Sequence, residues 1–337
     1  MPDAASPLAA SPALLAVVAI GRNEGQRLQA CLASALASGQ VGAVVYVDSG
    51  STDNSVSMAL GLGCSVVNLD MAQPFTAARA RNEGFARALQ LLPKLRYVQF
   101  VDGDCELVDG WLAAALAFAG AHPDVAAVCG RRRERYPHNS IYNQLCDIEW
   151  DTPAGPAKSC GGDVLMRADA LQAAGGYRAG LIAGEEPELC VRLRAAGWRI
   201  WRLDHEMTLH DAAILRFGQW WNRSKRAGYA FAHGAALHGA KPEQHWVRET
   251  RSAWLWGLWL PCSMLCLALL THGWALGLFL AYPLQALRIY LRNRNKLPAA
   301  GWHAVFLVLG KFPEAQGALR SWVQRLGGKT MTLIEYK

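Results

Sequence analysis

Apolar positions along the chain follow two regimes that meet near residue 212. Before it, short β-branched runs at Leu14–Ile20, Ala43–Val47, Cys64–Leu69, Tyr97–Val101, Val125–Gly130, Gly162–Arg167 and Ile200–Leu203 read as buried strands. Longer Ala/Leu-rich stretches at Gly25–Ala37, Thr76–Leu92 and Gly110–Ala121 read as the helices between the early ones. Strand–helix alternation of this kind predicts an α/β fold: a Rossmann-like, mostly parallel sheet with helices on both faces. Such sheets bind ligands at the carboxyl ends of their strands, so the residues following each strand are the candidates for chemistry.

After residue 212 the pattern is helical and more apolar. Phe217–Ala240 carries Trp220 and Trp221 among Arg216, Arg223, Lys225 and Arg226. Ala253–Leu270 then runs for 18 residues without a charge and Gly273–Leu287 for another 15, separated only by Thr271 and His272. About 18 uncharged residues suffice for a transmembrane helix, so 252–292 reads as a transmembrane or re-entrant hairpin. Arg248 and Arg251 precede the pair, and Arg288, Arg292, Arg294 and Lys296 follow it, which puts both flanks on the cytoplasmic side. The alternative is a buried hairpin of a soluble domain. In Pro313–Leu326 the spacing of Leu319, Trp322, Val323 and Leu326 fits a helix lying in a membrane interface, and equally an ordinary amphipathic surface helix. The predicted organisation is a flexible tail (1–13), an α/β domain (14–212), a helical acceptor-side linker (213–251), the hairpin (252–292) and an interfacial C-terminal region (293–337). The first dozen residues contain no Lys or Arg and do not read as a signal peptide.

Charge sharpens this division. Residues 216–337 hold 16 Lys and Arg against 4 Asp and Glu, whereas the rest of the chain is net acidic. Basic residues flanking apolar runs point to an anionic membrane surface rather than to nucleic acid. With 52% apolar and 18% charged residues, the chain is no disordered polymer. Its nine cysteines are odd in number, scattered and without a CxxC pair, which supports neither a disulfide framework nor a zinc ribbon and fits a reduced, cytoplasmic setting.

Candidate chemistry clusters after the strands. Asp102-Gly103-Asp104 follows Tyr97–Val101; two carboxylates separated by a small residue can share a hard divalent cation, and the glycine leaves room for a diphosphate. Asp48 ends the second strand, with Ser51 or Thr52 placed to cap a helix starting near Asp53. Arg22-Asn23-Glu24 forms the turn after the first strand, at a helix start. Neither turn carries G-x-G-x-x-G or G-x-x-x-x-G-K-[ST], so dinucleotide and P-loop binding lose their main support. Glu185, Glu186 and Glu188 open a helix, where the dipole stabilises acids and where one of them could serve as a general base. His210 follows the last strand and could complete a metal site begun by Asp104. Arg131-Arg132-Arg133 reads as a phosphate contact or a solvated basic surface.

Taken in order, IGRNEG, VDSGSTDNS, TAARARNEG, FVDGDCEL, GGDVLMR and GEEPELCVRLRAAGWRI resemble the inverting family 2 glycosyltransferases of the GT-A fold, over about residues 14–212. The resemblance implies that Asp48, Asn23, Glu24, Arg81 and Asp102 bind the nucleotide. It also implies that Asp102, Asp104 and His210 bind Mn²⁺ or Mg²⁺, and that Glu186, with Glu185 beside it, supplies the catalytic base where the family's pair is Glu-Asp. The implied partners are a nucleotide-diphosphate sugar donor, a lipid-linked or glycan acceptor and membrane lipids, with no nucleic acid, at the cytoplasmic face of the cell membrane. The competing readings are a sugar nucleotidyltransferase, which would need a Gly-rich basic phosphate loop after the first strand, and an inactive membrane scaffold, which would have lost the acids. The faint likeness of Gln219-Trp220-Trp221 and Arg223 to an acceptor-side motif has the wrong spacing.

Overall fold

The computed structural model describes residues 14–327; the tail assigned to 1–13 and the last ten residues of the C-terminal region lie outside the described residues. The chain divides into two compact units. The first comprises Met1–Arg135, Trp150–Leu181 and Glu185–Ala212 and the second Tyr136–Glu149, Ile182–Gly184 and Ala213–Lys337.

The first unit is built on one mixed sheet. Its strands are β1 (Leu15–Gly21), β2 (Ala43–Asp48), β3 (Ser65–Asn68), β4 (Tyr97–Asp102), β5 (Cys105–Leu107), β6 (Val125–Glu134), β7 (Gly155–Pro156), β8 (Val164–Arg167) and β9 (Arg199–His210). Their order is β3-β2-β1-β4-β8-β6-β9-β5, with β7 paired to β9. Strands β1 to β4 run parallel, as do β6 and β9; β8, β5 and β7 are antiparallel to their neighbours. The sheet is therefore mostly parallel. Strand β1, Leu-Ala-Val-Val-Ala-Ile-Gly, buries both of its faces, which is why it reads as a continuous apolar run rather than an alternating one.

Two cores cover the two faces. On one, Leu15, Val17 and Tyr46 pack with Leu28 and Leu32 of α1 (Gln26–Ala37) and Trp111 and Leu112 of α4 (Trp111–Ala121). On the other, Val18, Val45 and Val47 pack with Phe85 of α3 (Ala77–Leu91), Leu171 of α6 (Ala168–Ala173) and Leu189 of α7 (Glu185–Ala195). Helix α3 sits unusually close: a Cβ on Gly84 would lie 2.3 Å from a Val18 methyl and 2.8 Å from a Val47 methyl. Thr76 caps that helix by accepting the Arg79 N–H at 3.0 Å.

Two strands run further than the apolar pattern predicts. β6 continues through the arginine run to Glu134, and β9 continues from Leu203 to His210. The two pair over this whole length, with irregularities in register, so ladder hydrogen bonds and cross-strand ion pairs hold segments that have too few apolar residues to be recognised as strands. In the capping of α2 (Ser55–Gly61) the expectation also fails: Asp53 accepts the Ser55 N–H, while Ser51 and Thr52 bond instead to Asn23.

The second unit is helical, with α5 (Ile141–Trp150, its last residue in the first unit), α8 (Phe217–His238), α9 (Val247–Trp254), α10 (Leu260–Leu270), α11 (Ala281–Asn293), α12 (Ala300–Leu309) and α13 (Lys311–Leu326). Small residues let α8 and α13 touch: a Cβ on Gly228 would lie 2.0 Å from the Glu314 carbonyl oxygen, and one on Gly317 1.9 Å from that of Lys225. Trp220 is buried against Phe306 and Tyr142, and Arg223 pairs with Glu149, which gives these residues packing duties within the unit. Val247–Leu270 and Trp274–Asn293 are long and apolar enough to cross a membrane, and few of their side chains are buried within the chain.

Candidate active site

The carboxyl ends of β1, β2 and β4 gather most of the predicted residues. At the β2 end, Asp48 is buried, accepting the Tyr46 hydroxyl at 2.8 Å and the N–H groups of Gly50 and Ser51 at 3.0 and 2.8 Å. At the β1 end, Asn23 takes a left-handed backbone conformation, and its side chain accepts the Thr52 N–H at 2.7 Å. Glu24 forms an ion pair with Arg27. These contacts stitch the two turns into one rigid edge. Gly103 owes its size to packing: a Cβ there would sit 3.1 Å from the Ile20 carbonyl oxygen.

At the β4 end, Asp102 lies between two guanidinium groups, Arg81 Nη2 at 2.7 Å and Arg132 Nη2 at 2.9 Å. Burial pushes its carboxyl up, but Arg81 and Arg132 outweigh that and hold it well below the usual carboxylate range. Arg81, 2% exposed, reaches on to Glu185, Nη1 to Oε1 at 2.6 Å, and stacks over Tyr177. Arg132 continues to Asp163 at 3.0 Å and lies over the Trp150 ring. Asp163 in turn accepts the backbone N–H of Asp102 at 3.0 Å and the Thr208 hydroxyl at 2.8 Å. The result is a chain of alternating charge, Glu185–Arg81–Asp102–Arg132–Asp163, buried at Glu185, Arg81 and Asp163 and half-buried at Asp102 and Arg132.

Beside it, His210 Nε2 lies 3.3 Å from Asp104 Oδ2. The sheet brings them together, because His210, the last residue of β9, pairs with Cys105 of β5, the residue after Asp104. Ligand atoms of Asp104, Cys105 and His210 all lie within 4.8 Å of one another. Burial, reinforced by the Arg132 charge, lowers the His210 pKa, so the ring stays neutral and keeps a lone pair. A buried carboxylate facing a neutral imidazole is a donor set that suits a divalent ion such as Mn²⁺.

Glu186, 1% exposed, accepts the backbone N–H groups of Cys160 and Gly161, each at 2.9 Å, and lies 2.9 Å from the Cys190 thiol. Burial raises its pKa despite these donors. The loop it holds passes over the neighbouring site: a Cβ on Gly162 would sit 2.7 Å from Arg81 Nη2 and 2.8 Å from Asp102 Oδ2. Only glycine permits that approach.

Arg132, Asp163 and Glu134 belong to this neighbourhood and are absent from the sequence-derived site. The run Arg131-Arg132-Arg133 is neither a plain solvated surface nor a uniform patch. In an extended strand alternate residues face opposite ways. Arg132 turns toward Asp102 and Asp163 and Glu134 toward His210, while Arg131 pairs with Asp151 and Arg133 with Glu206. Alternation within a charged run after a strand was the available signal.

Residues 17–159 match the family model described as glycosyl transferase family 2. No curated protein matches the chain. Among solved structures, the mannosyltransferase PcManGT from Pyrobaculum calidifontis, in complex with GDP-Man and Mn²⁺, is similar at a TM-score of 0.62 and 19% identity, covering 90% of this chain and 86% of that one. S. aureus TarS 1–349 is similar at a TM-score of 0.52 and 15% identity, covering 93% and 92%. Motif series, sheet order and matched stretch agree: residues 17–159 are similar to glycosyl transferase family 2, and the fold is the GT-A fold.

Proposed function

We propose that this protein is a metal-dependent, inverting glycosyltransferase that moves a hexosyl group from a nucleoside diphosphate donor to a hydroxyl of a lipid-linked or envelope or exopolysaccharide acceptor. The observation that carries the reading is the Asp104–His210 pair beside an Asp102 held between two arginines. That the similar PcManGT was solved with GDP-Man and Mn²⁺ supports a donor and ion of this class.

In this reading Asp104 and His210 would hold Mn²⁺ or Mg²⁺, with Asp102 beside them on the nucleotide side. When bound, the ion neutralises charge developing on the leaving diphosphate. Asp48, Asn23 and Glu24 form the wall against the base and nucleoside, and their internal hydrogen bonds preorganise it. Arg81 keeps Asp102 ionised and pins Glu185. Glu186 is the general base: it removes the proton of the attacking hydroxyl, which bonds to the anomeric carbon from the face opposite the leaving group. Because loop 160–162 covers Glu186, acceptor binding includes displacement of that loop. The two long apolar helices, flanked by basic residues, anchor the enzyme to the cytoplasmic face of the membrane, where a lipid-linked acceptor is presented.

The test is a panel of nucleotide sugars offered to the full chain in detergent, with and without Mn²⁺, following transfer and hydrolysis. Metal-dependent turnover of one donor, with inverted anomeric configuration in the product, is the expected result. Absence of donor binding across the panel would leave an inactive scaffold as the better account.

A further inference from the structure

We infer that Glu134 is a positioning residue that selects the tautomer of His210 and thereby makes its Nε2 available to a metal ion. The inference rests on the metal reading above and deepens it. Glu134 is the last residue of β6 and pairs in register with His210, the last residue of β9. It is 1% exposed, and its Oε2 lies 3.5 Å from His210 Nδ1. The same oxygen accepts the Ala212 N–H at 3.0 Å, which fixes the carboxylate on the far side of the ring from Asp104. Trp150 meets the imidazole edge-on, with ring centroids 4.7 Å apart, and restricts rotation.

Two acids thus face the two nitrogens of one buried ring, Glu134 at Nδ1 and Asp104 at Nε2. A neutral imidazole has one N–H, and the two edges compete for it. Placed on Nδ1, the proton lies on the Glu134 side of the ring, 3.5 Å from Oε2 and short of a formed hydrogen bond, and the Nε2 lone pair faces Asp104. Placed on Nε2, it would block that nitrogen as a ligand. Carboxylates behind a metal-bound histidine orient the ring in this manner, and removing them weakens binding by roughly 10–100-fold. Asp104 follows β4, on the ligand edge where the donor diphosphate is expected, whereas Glu134 sits inside the sheet with a backbone amide already bound to it. The structure therefore assigns the ligand role to Asp104 and the orienting role to Glu134.

The experiment uses the full chain in detergent, without metal and then with Mn²⁺ and a nucleoside diphosphate. In ¹⁵N-histidine spectra of the metal-free protein, the His210 signal, assigned by its loss in His210→Asn, is expected as the Nδ1–H form. In Glu134→Leu it is expected to shift toward the Nε2–H form. Mn²⁺ titration, read by the electron paramagnetic resonance of the free ion, is expected to show binding at least roughly tenfold weaker in Glu134→Leu. Glu134→Gln can keep an oxygen at the Oε2 position and is expected to recover most of that affinity. An Nε2–H tautomer in the wild type overturns the inference, and so does a Glu134→Leu protein that binds Mn²⁺ as tightly as wild type. If Glu134→Leu does not fold, the wild-type tautomer and the Gln variant still decide. Failure of the wild type itself to bind Mn²⁺ overturns the metal reading instead, a result separate from the tautomer.

Discussion

Arg132 extends from β6 to Asp102 at the end of β4, with Nη2 and Oδ2 2.9 Å apart, and its Nε lies 3.0 Å from the fully buried Asp163. One guanidinium therefore neutralises two carboxylates that the fold brings together. Truncating it leaves at least one uncompensated buried charge. Arg132→Met is expected to cost about 3–5 kcal/mol, read as a lower denaturation midpoint, and to weaken donor binding. A variant as stable as wild type would mean that the acids take up protons or water at little cost.

Gly162 is expected to resist even the smallest enlargement. A Cβ there meets the Arg81 and Asp102 side chains at 2.7 and 2.8 Å, both of them held by ion pairs that do not yield easily. Gly162→Ala should destabilise by about 1–3 kcal/mol and lower kcat/KM through displacement of Asp102. Thermal unfolding beside donor-binding measurements checks both effects. Gly120→Ala, inside α4 where a Cβ meets nothing within 4 Å, is the control: it should leave donor binding unchanged and raise stability by up to about 1 kcal/mol through helix propensity.

The pH profile follows from Glu186. Burial raises its pKa above the usual glutamate value of about 4.3. A general base works only when deprotonated, so kcat/KM should fall as pH drops through that raised value, with an acid limb lying above pH 4.3. Glu186→Gln should abolish transfer while donor and Mn²⁺ binding persist. Transfer that survives in Glu186→Gln and disappears in Glu185→Gln would move the base to the neighbouring residue.

Membrane attachment has a discriminating substitution. Leu265 lies within Val247–Leu270 and is 52% exposed. On a water-facing surface, Leu265→Arg is harmless. Near the middle of a bilayer-spanning helix it costs about 2.5–3.5 kcal/mol of insertion. Wild-type protein is expected to stay with membranes through carbonate washing and to leave them in detergent. The Arg variant is expected to accumulate less in the membrane fraction. Release of wild type by carbonate would exclude an integral hairpin.

Metal binding separates Asp104 from its neighbours. Asp104→Ala is expected to reduce Mn²⁺ affinity and transfer by at least about 100-fold, the loss of a charge-bearing ligand together with the stabilisation it gives to the leaving group. The fold should persist, since Asp104 lies beyond the β4 ladder. Calorimetry with Mn²⁺ and a nucleoside diphosphate reads the first effect and circular dichroism the second.

What could be read from the chain alone was whatever depends on local periodicity. The apolar runs of β1, β2 and β4 were legible because parallel central strands bury both faces, and the acids that end β2 and β4 were legible because the chain leaves each strand at the ligand edge. The uncharged stretches of 252–292 stood out by length. Tertiary structure decided everything that depends on pairing across the sheet. Short β5 and the polar half of β9 have no apolar period to betray them, yet their antiparallel register sets Cys105 against His210 and so His210 beside Asp104. Likewise Arg132 and Asp163 are 31 residues apart, and nothing in the local composition of either tells that they close around Asp102. Strand propensity and apolar spacing are written residue by residue; register and the meeting of charges across strands arise only when the sheet forms, because they are properties of pairs.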